Sequence, residues 1–130
     1  MGVVSRMSPT TALALTVALC LAAGPTAALG HTGVESSSPR DGATLSRLPA
    51  RVVLTFAEPI PRVRGVVVRR NGKGNLAAKV ARDPGDASRV LVTLRRPGLK
   101  WQAARYRVNW RITSADGDPV AGVVAFRVDP

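Results

Sequence analysis

The chain has 130 residues, with 19 Lys or Arg against 8 Asp or Glu and a net charge of +11. One histidine, one cysteine and two methionines are too few for a Cys/His zinc site or a disulfide framework. A length of this order holds one small domain and one core, not two.

The first thirty residues read as a secretory signal peptide. Arg6 is the only charge there, followed by an apolar run of about 13 residues over 11–23 (TALALTVALCLAA) and small residues over 24–30. Spanning a bilayer takes roughly 20 apolar residues, which weighs against the other reading, an uncleaved N-terminal anchor. Ala28 and Gly30 are small and fit cleavage before His31; a cut after Ala28 is the competing choice and leaves Leu29 first. Leu19 ahead of Cys20 is too large for a lipoprotein site. Cys20, Met1 and Met7 all leave with the leader, so the domain over residues 31–130 has no soft sulfur ligand and a net charge of +10.

Beyond the leader the pattern is β. Residues 51–58 alternate, with Val52, Leu54 and Phe56 on one face. Residues 65–70 (GVVVRR) are a second β-branched run, and 76–81 a weaker third. Residues 89–94 put Val90, Val92 and Leu94 on one side. Residues 104–113 alternate most clearly, with Tyr106, Val108, Trp110 and Ile112 inward and Arg105, Arg107, Asn109 and Arg111 outward. Residues 122–128 close the chain with Val124, Phe126 and Val128 buried. Turn signals separate the runs, among them Asn71-Gly72, Asp83-Pro84-Gly85-Asp86 and Asp116-Gly117-Asp118-Pro119. No segment carries a helical period. The expected fold is all-β, an Ig-like Greek-key sandwich, with a small barrel as the other closed form.

The positive charge raises nucleic acid as a partner. The arginines argue against it, because they sit in loops (Arg40, Arg47, Arg62) or alternate along a strand (Arg105, Arg107, Arg111). A solvated strand face accounts for them, and attraction to anionic envelope polymers or lipid headgroups is the weaker functional reading.

Few residues can carry chemistry. There is no G-x-S-x-G elbow, no phosphate loop and no dinucleotide fingerprint. What remains is His31 with Asp116 and Asp118. An N-terminal histidine offers the α-amine and the imidazole together, and one carboxylate more makes an N/O set suited to Cu(II). The plain alternatives are a mobile terminus and an ordinary Asp-Gly turn. Glu35 and Glu58 are either solvent-facing residues or acceptors for the His31 ring N–H.

These residues fall in a recognisable pattern. His31, then residues 36–45 (SSSPRDGATL), 52–60 (VVLTFAEPI) and 106–122 (YRVNWRITSADGDPVAG), with Phe126 in the last strand, resemble a CopC-type periplasmic copper-binding domain. The resemblance implies a Greek-key sandwich of about seven strands and an extracytoplasmic copper carrier or buffer, not an enzyme. It implies Cu(II) held by the N-terminal His31 and by Asp116 of an S-A-D-G-H-P-like motif. Asp118 stands where that motif has histidine, which removes one imidazole and weakens or alters the site. A methionine-rich Cu(I) site is excluded by composition. The implied partners are the copper ion and a separate membrane copper permease, with the protein itself a monomer. Two other functions stay open: an Ig-like extracytoplasmic interaction module that has lost its metal, and a copper monooxygenase, whose histidine brace needs a second imidazole that this chain lacks.

Overall fold

The computed structural model describes residues 2–3, 33–97 and 103–130. The rest of the segment read as a signal peptide, His31 and Trp101 therefore lie outside the described residues. The elements are strands: β1 (Val34–Ser38), β2 (Thr44–Leu45), β3 (Arg51–Phe56), β4 (Arg62–Arg70), β5 (Ala77–Asp83), β6 (Asp86–Leu94), β7 (Ala104–Thr113) and β8 (Pro119–Val128). They form two four-stranded sheets, β1-β3-β6-β5 and β2-β8-β7-β4. This is the strand arrangement of a constant-type immunoglobulin sandwich, plus the short β2, which pairs in parallel with β8.

The core comes from period-two patterning. A sheet that packs one face on its partner must place apolar residues at every second position. Val52, Leu54 and Phe56 from β3 and Val90, Val92 and Leu94 from β6 are at most 3% exposed. They meet Tyr106, Val108, Trp110 and Ile112 from β7 and Val124, Phe126 and Val128 from β8. Tyr106 stacks on Phe126 with ring centroids 5.2 Å apart, and Phe56 meets Trp110 edge-on at 5.1 Å. Each large apolar side chain buried this way contributes roughly 1.5–3 kcal/mol.

The six strands read from the sequence are all present, most with shifted ends: β4, β6 and β8 each begin three residues earlier, at Arg62, Asp86 and Pro119, β5 runs Ala77–Asp83, and β3 closes at Phe56. β4 begins at Arg62, ahead of the GVVVRR run, because Val63 packs on the core before a register shift between Val63 and Gly65. β1 and β2 raise the count to eight. β1 reads VESSS and has no apolar alternation to announce it.

Candidate metal centre

Register places the loops of the site at one end of the sandwich. Val34, which opens β1, is the partner of Phe56, which closes β3. Residues 57–61 then carry the chain to Arg62, the partner of Thr113 at the end of β7. Thr113 in turn faces Pro119 at the start of β8. The β5–β6 hairpin, where Asp83 faces Asp86, belongs to the same end, because Arg89 of β6 pairs with Thr55 of β3. This pole therefore gathers the start of β1, the 57–61 loop and two hairpin turns. Glu58, Asp83, Asp86, Asp116 and Asp118 are all here, in a chain with only 8 acidic residues.

The pole is well tied. Ile60 donates its amide to the Ala87 carbonyl at 2.8 Å, and the Arg82 guanidinium donates to the carbonyls of Ile60 and Pro61 at 2.8 and 3.3 Å. Two of the acids are occupied in shaping their turn. Asp83 accepts from the Gly85 amide at 2.9 Å and pairs with Arg89 at 3.4 Å. Asp86 accepts from the hydroxyl and amide of Ser88 at 2.6 and 3.0 Å. Those two bonds favour the ionised carboxylate and hold Asp86 below its ordinary range. A depressed folded value means that this small contribution is present above the ordinary carboxylate range and fades as pH falls through the folded one.

Asp116 and Asp118 are different. Both are exposed on the 114–118 turn, and neither carboxylate has a hydrogen bond or ion pair among the described residues. The turn beneath them is fixed by Ser114. Its amide donates to the Asp118 carbonyl at 2.8 Å, its carbonyl accepts from Gly117 at 2.9 Å, and its hydroxyl accepts from the Asp118 amide at 3.2 Å. Gly117 has φ of +90°, a conformation that side chains strain, so glycine between the two aspartates is required by the backbone. Ser114→Ala is expected to cost about 1 kcal/mol, seen as a lower denaturation midpoint with unchanged slope. Equal midpoints would show that the hydroxyl does not brace the turn.

A model of the CopC domain matches residues 34–129. The chain belongs to the CopC family. Copper resistance protein C of Xanthomonas campestris pv. juglandis is 32% identical over 109 residues, covering 78% of this chain and 82% of that protein. The copper transport protein CutJ of Bacillus subtilis is 28% identical over 106 residues; the match covers 80% of this chain but only 19% of that protein. Among solved structures, PcoC, a copper resistance protein from Escherichia coli, aligns with a TM-score of 0.61 at 28% identity, over 75% of this chain and 99% of that one. CopC from Methylosinus trichosporium OB3b aligns at 0.63 with 18% identity, which supports the fold alone.

Within this CopC-family frame, the site residues read from the sequence divide. Asp116 and Asp118 stand together on one turn. His31 lies outside the described residues. Among the described residues no three His, Cys, Asp or Glu side chains form a group able to hold a metal. Glu58 is half-buried at the same pole, whereas Glu35 is exposed on β1. Ser114 was not singled out by motif, although its position carries a signal. It continues the inward register of Trp110 and Ile112 and is 1% exposed, and a polar residue at a core position calls for a structural bond.

Proposed function

We propose that this CopC-family chain is an exported copper-binding protein, a carrier or buffer without catalysis, that takes Cu(II) as cargo at the acidic pole through His31, Asp116 and Asp118. One arrangement supports the reading best. β1 opens at Val34, three residues after His31, at the end of the sandwich that carries the 114–118 turn. Three residues of chain reach at most ~11 Å, so the terminus left by cleavage before His31 is tethered to that pole. The copper names of the relatives support the same cargo.

The donor chemistry makes His31 indispensable. Two carboxylates alone favour hard, weakly bound ions, whereas amine and imidazole nitrogens suit Cu(II). Both nitrogens must shed protons to ligate, so affinity is expected to fall as pH drops from roughly 8 to 6, through the ordinary ranges of an α-amine and an imidazole.

Asp118 then sets the grade of the site. A carboxylate there lowers the preference for Cu(II) over other divalent ions. Asp118→His is expected to tighten Cu(II) binding by about tenfold or more and to leave Mg²⁺ or Ca²⁺ binding no stronger. Competition titration with a chelator of known affinity measures it. No gain on introducing the imidazole means that position 118 does not face the bound ion. The same aspartate favours a second reading, an Ig-like interaction module without metal. That reading expects the melting temperature of the exported protein to be unmoved by copper, where the first expects a rise with copper concentration. A membrane copper permease remains the proposed recipient, as a separate chain.

A further inference from the structure

We propose that the outer face of the β2-β8-β7-β4 sheet is a docking surface for an anionic lipid membrane. The proposal is independent of the copper reading.

The argument starts from register. Arg69 of β4 lies directly opposite Arg107 of β7, and Arg105 of β7 directly opposite Arg127 of β8. Directly opposed side chains on a sheet have Cβ atoms about 5 Å apart, and like charges there oppose folding. The register shift between Val63 and Gly65 adds one residue to β4, and that residue, Arg64, lines a shallow hollow with Arg111 of β7. A bulge of this kind re-aims a side chain. All six arginines are exposed.

The strands of the face supply no counter-charge. β4, β7 and β8 contain no Asp or Glu. Of the six, only Arg127 has an ion pair among the described residues, to Asp129 just past β8 at 3.7 Å. The outer face of the other sheet is unlike this one. Its centre is Val53, Thr55, Leu91 and Thr93, its Arg89 is paired to Asp83, and its exposed cations are Arg51 and Lys79 on either side of Thr93. Five of the eight acids lie at the pole, and the two nearest this face, Asp41 and Asp129, sit at the β8 edge, Asp41 accepting from the Ala125 amide at 2.8 Å. Positive charge is thus denser on this side, six arginines against Arg51, Lys79 and the paired Arg89 on the other, a directional array and not merely a high total.

Shape selects the partner. The arginines are spread over three adjacent strands about 4.8 Å apart, a two-dimensional array. Between them lie the uncharged row Val67, Asn109 and Val123 and the small residues Ala121, Ala125 and Gly65, so no bulky side chain overtops the guanidinium groups. Single-stranded nucleic acid is held by aromatic platforms, and Tyr106, Trp110 and Phe126 are turned inward, at most 5% exposed. A linear polyanion is best tracked by a groove or stripe. A plane of guanidinium groups matches a plane of phosphate headgroups, where each cation near the surface adds roughly fivefold in binding.

The test is co-sedimentation with vesicles in which about a quarter of the lipid is phosphatidylglycerol, against pure phosphatidylcholine. The protein is used as an export-competent host leaves it. The readout is the binding lost at about 0.5 M salt, so any apolar leader left in place adds only a salt-resistant background common to every variant. Arg107→Gln with Arg111→Gln is expected to weaken the salt-sensitive binding about 25-fold. Arg51→Gln with Lys79→Gln, on the opposite sheet, removes the same charge and is expected to change it less than about threefold. Thermal melting checks folding, and relief of like-charge contacts should leave the first variant at least as stable as the parent. Equal losses in the two variants, or equal binding to neutral vesicles, overturn the proposal. So does salt-sensitive capture of soluble polyphosphate or a single-stranded oligonucleotide without vesicle binding, which assigns the face to a linear polyanion.

Discussion

Replacing His31 by alanine, or adding one residue in front of it, is expected to lower Cu(II) affinity by at least about a hundredfold. Changes to residues that merely support a metal's ligands already cost roughly 10–100-fold, and these two changes remove a ligand outright. They do so differently. His31→Ala keeps the α-amine and loses the imidazole. The added residue keeps the imidazole and moves the amine out of the chelate. If both nitrogens bind, each variant fails, and electron paramagnetic resonance of the copper-loaded protein loses nitrogen coupling in steps. The pole gives no reserve, because the described residues hold no group of three ligating side chains. Folding is not at stake, since β1 begins at Val34 and the family match starts there too. Both variants should therefore melt with the parent in the absence of copper. Affinities within about threefold of the parent for either variant would remove the terminal chelate from the site.

The sheets were legible because burying one face forces alternation, and β3, β6, β7 and β8 keep it without interruption over their inward residues. The places that were not legible share a cause. β1 and β2 are edge strands, half-buried at most, so their serines and threonine give no period to read. The shifts in register at Val63/Gly65 and within β5 add residues without any composition to mark them. The candidate site could be named from the sequence by residue but not by place. Asp116 and Asp118 carry a turn signature in the sequence, but only register brings them to the pole where β1 begins, across 82 residues of chain from Val34 to Asp116. Glu58 and Ser114 belong to the same case. Alternation predicts that position 114 faces inward, while its three bonds within the turn follow from the hairpin geometry alone.

Gly122→Ala is the substitution expected to harm the fold most for its size. Gly122 faces Trp110 across the β7–β8 pair. A Cβ built on Gly122 falls 2.3 Å from Cζ2 and 2.7 Å from Cε2 of that indole, well inside contact distance. The indole cannot simply swing away. It is 5% exposed and meets the Phe56 ring edge-on at 5.1 Å. Its Nε1 has no hydrogen-bond partner among the described residues, so shape alone holds it. One methyl group therefore displaces the largest side chain of the core. Overpacking of this kind costs about 3 kcal/mol, or roughly 12–24 °C of melting temperature in a domain of this size. Trp110→Phe opens the space that the methyl needs. The pair Gly122→Ala with Trp110→Phe should thus be more stable than the sum of the single changes by about 1 kcal/mol or more. Additive losses, or a Gly122→Ala protein that melts within about 2 °C of the parent, would mean that the indole does not lie on the glycine. The hairpin that bears Asp116 and Asp118 begins two rungs beyond this contact, at Ile112 opposite Val120 and Thr113 opposite Pro119. Copper affinity measured on the fraction still folded should therefore hold, because the contact supports the strand pair and leaves the turn chemistry alone.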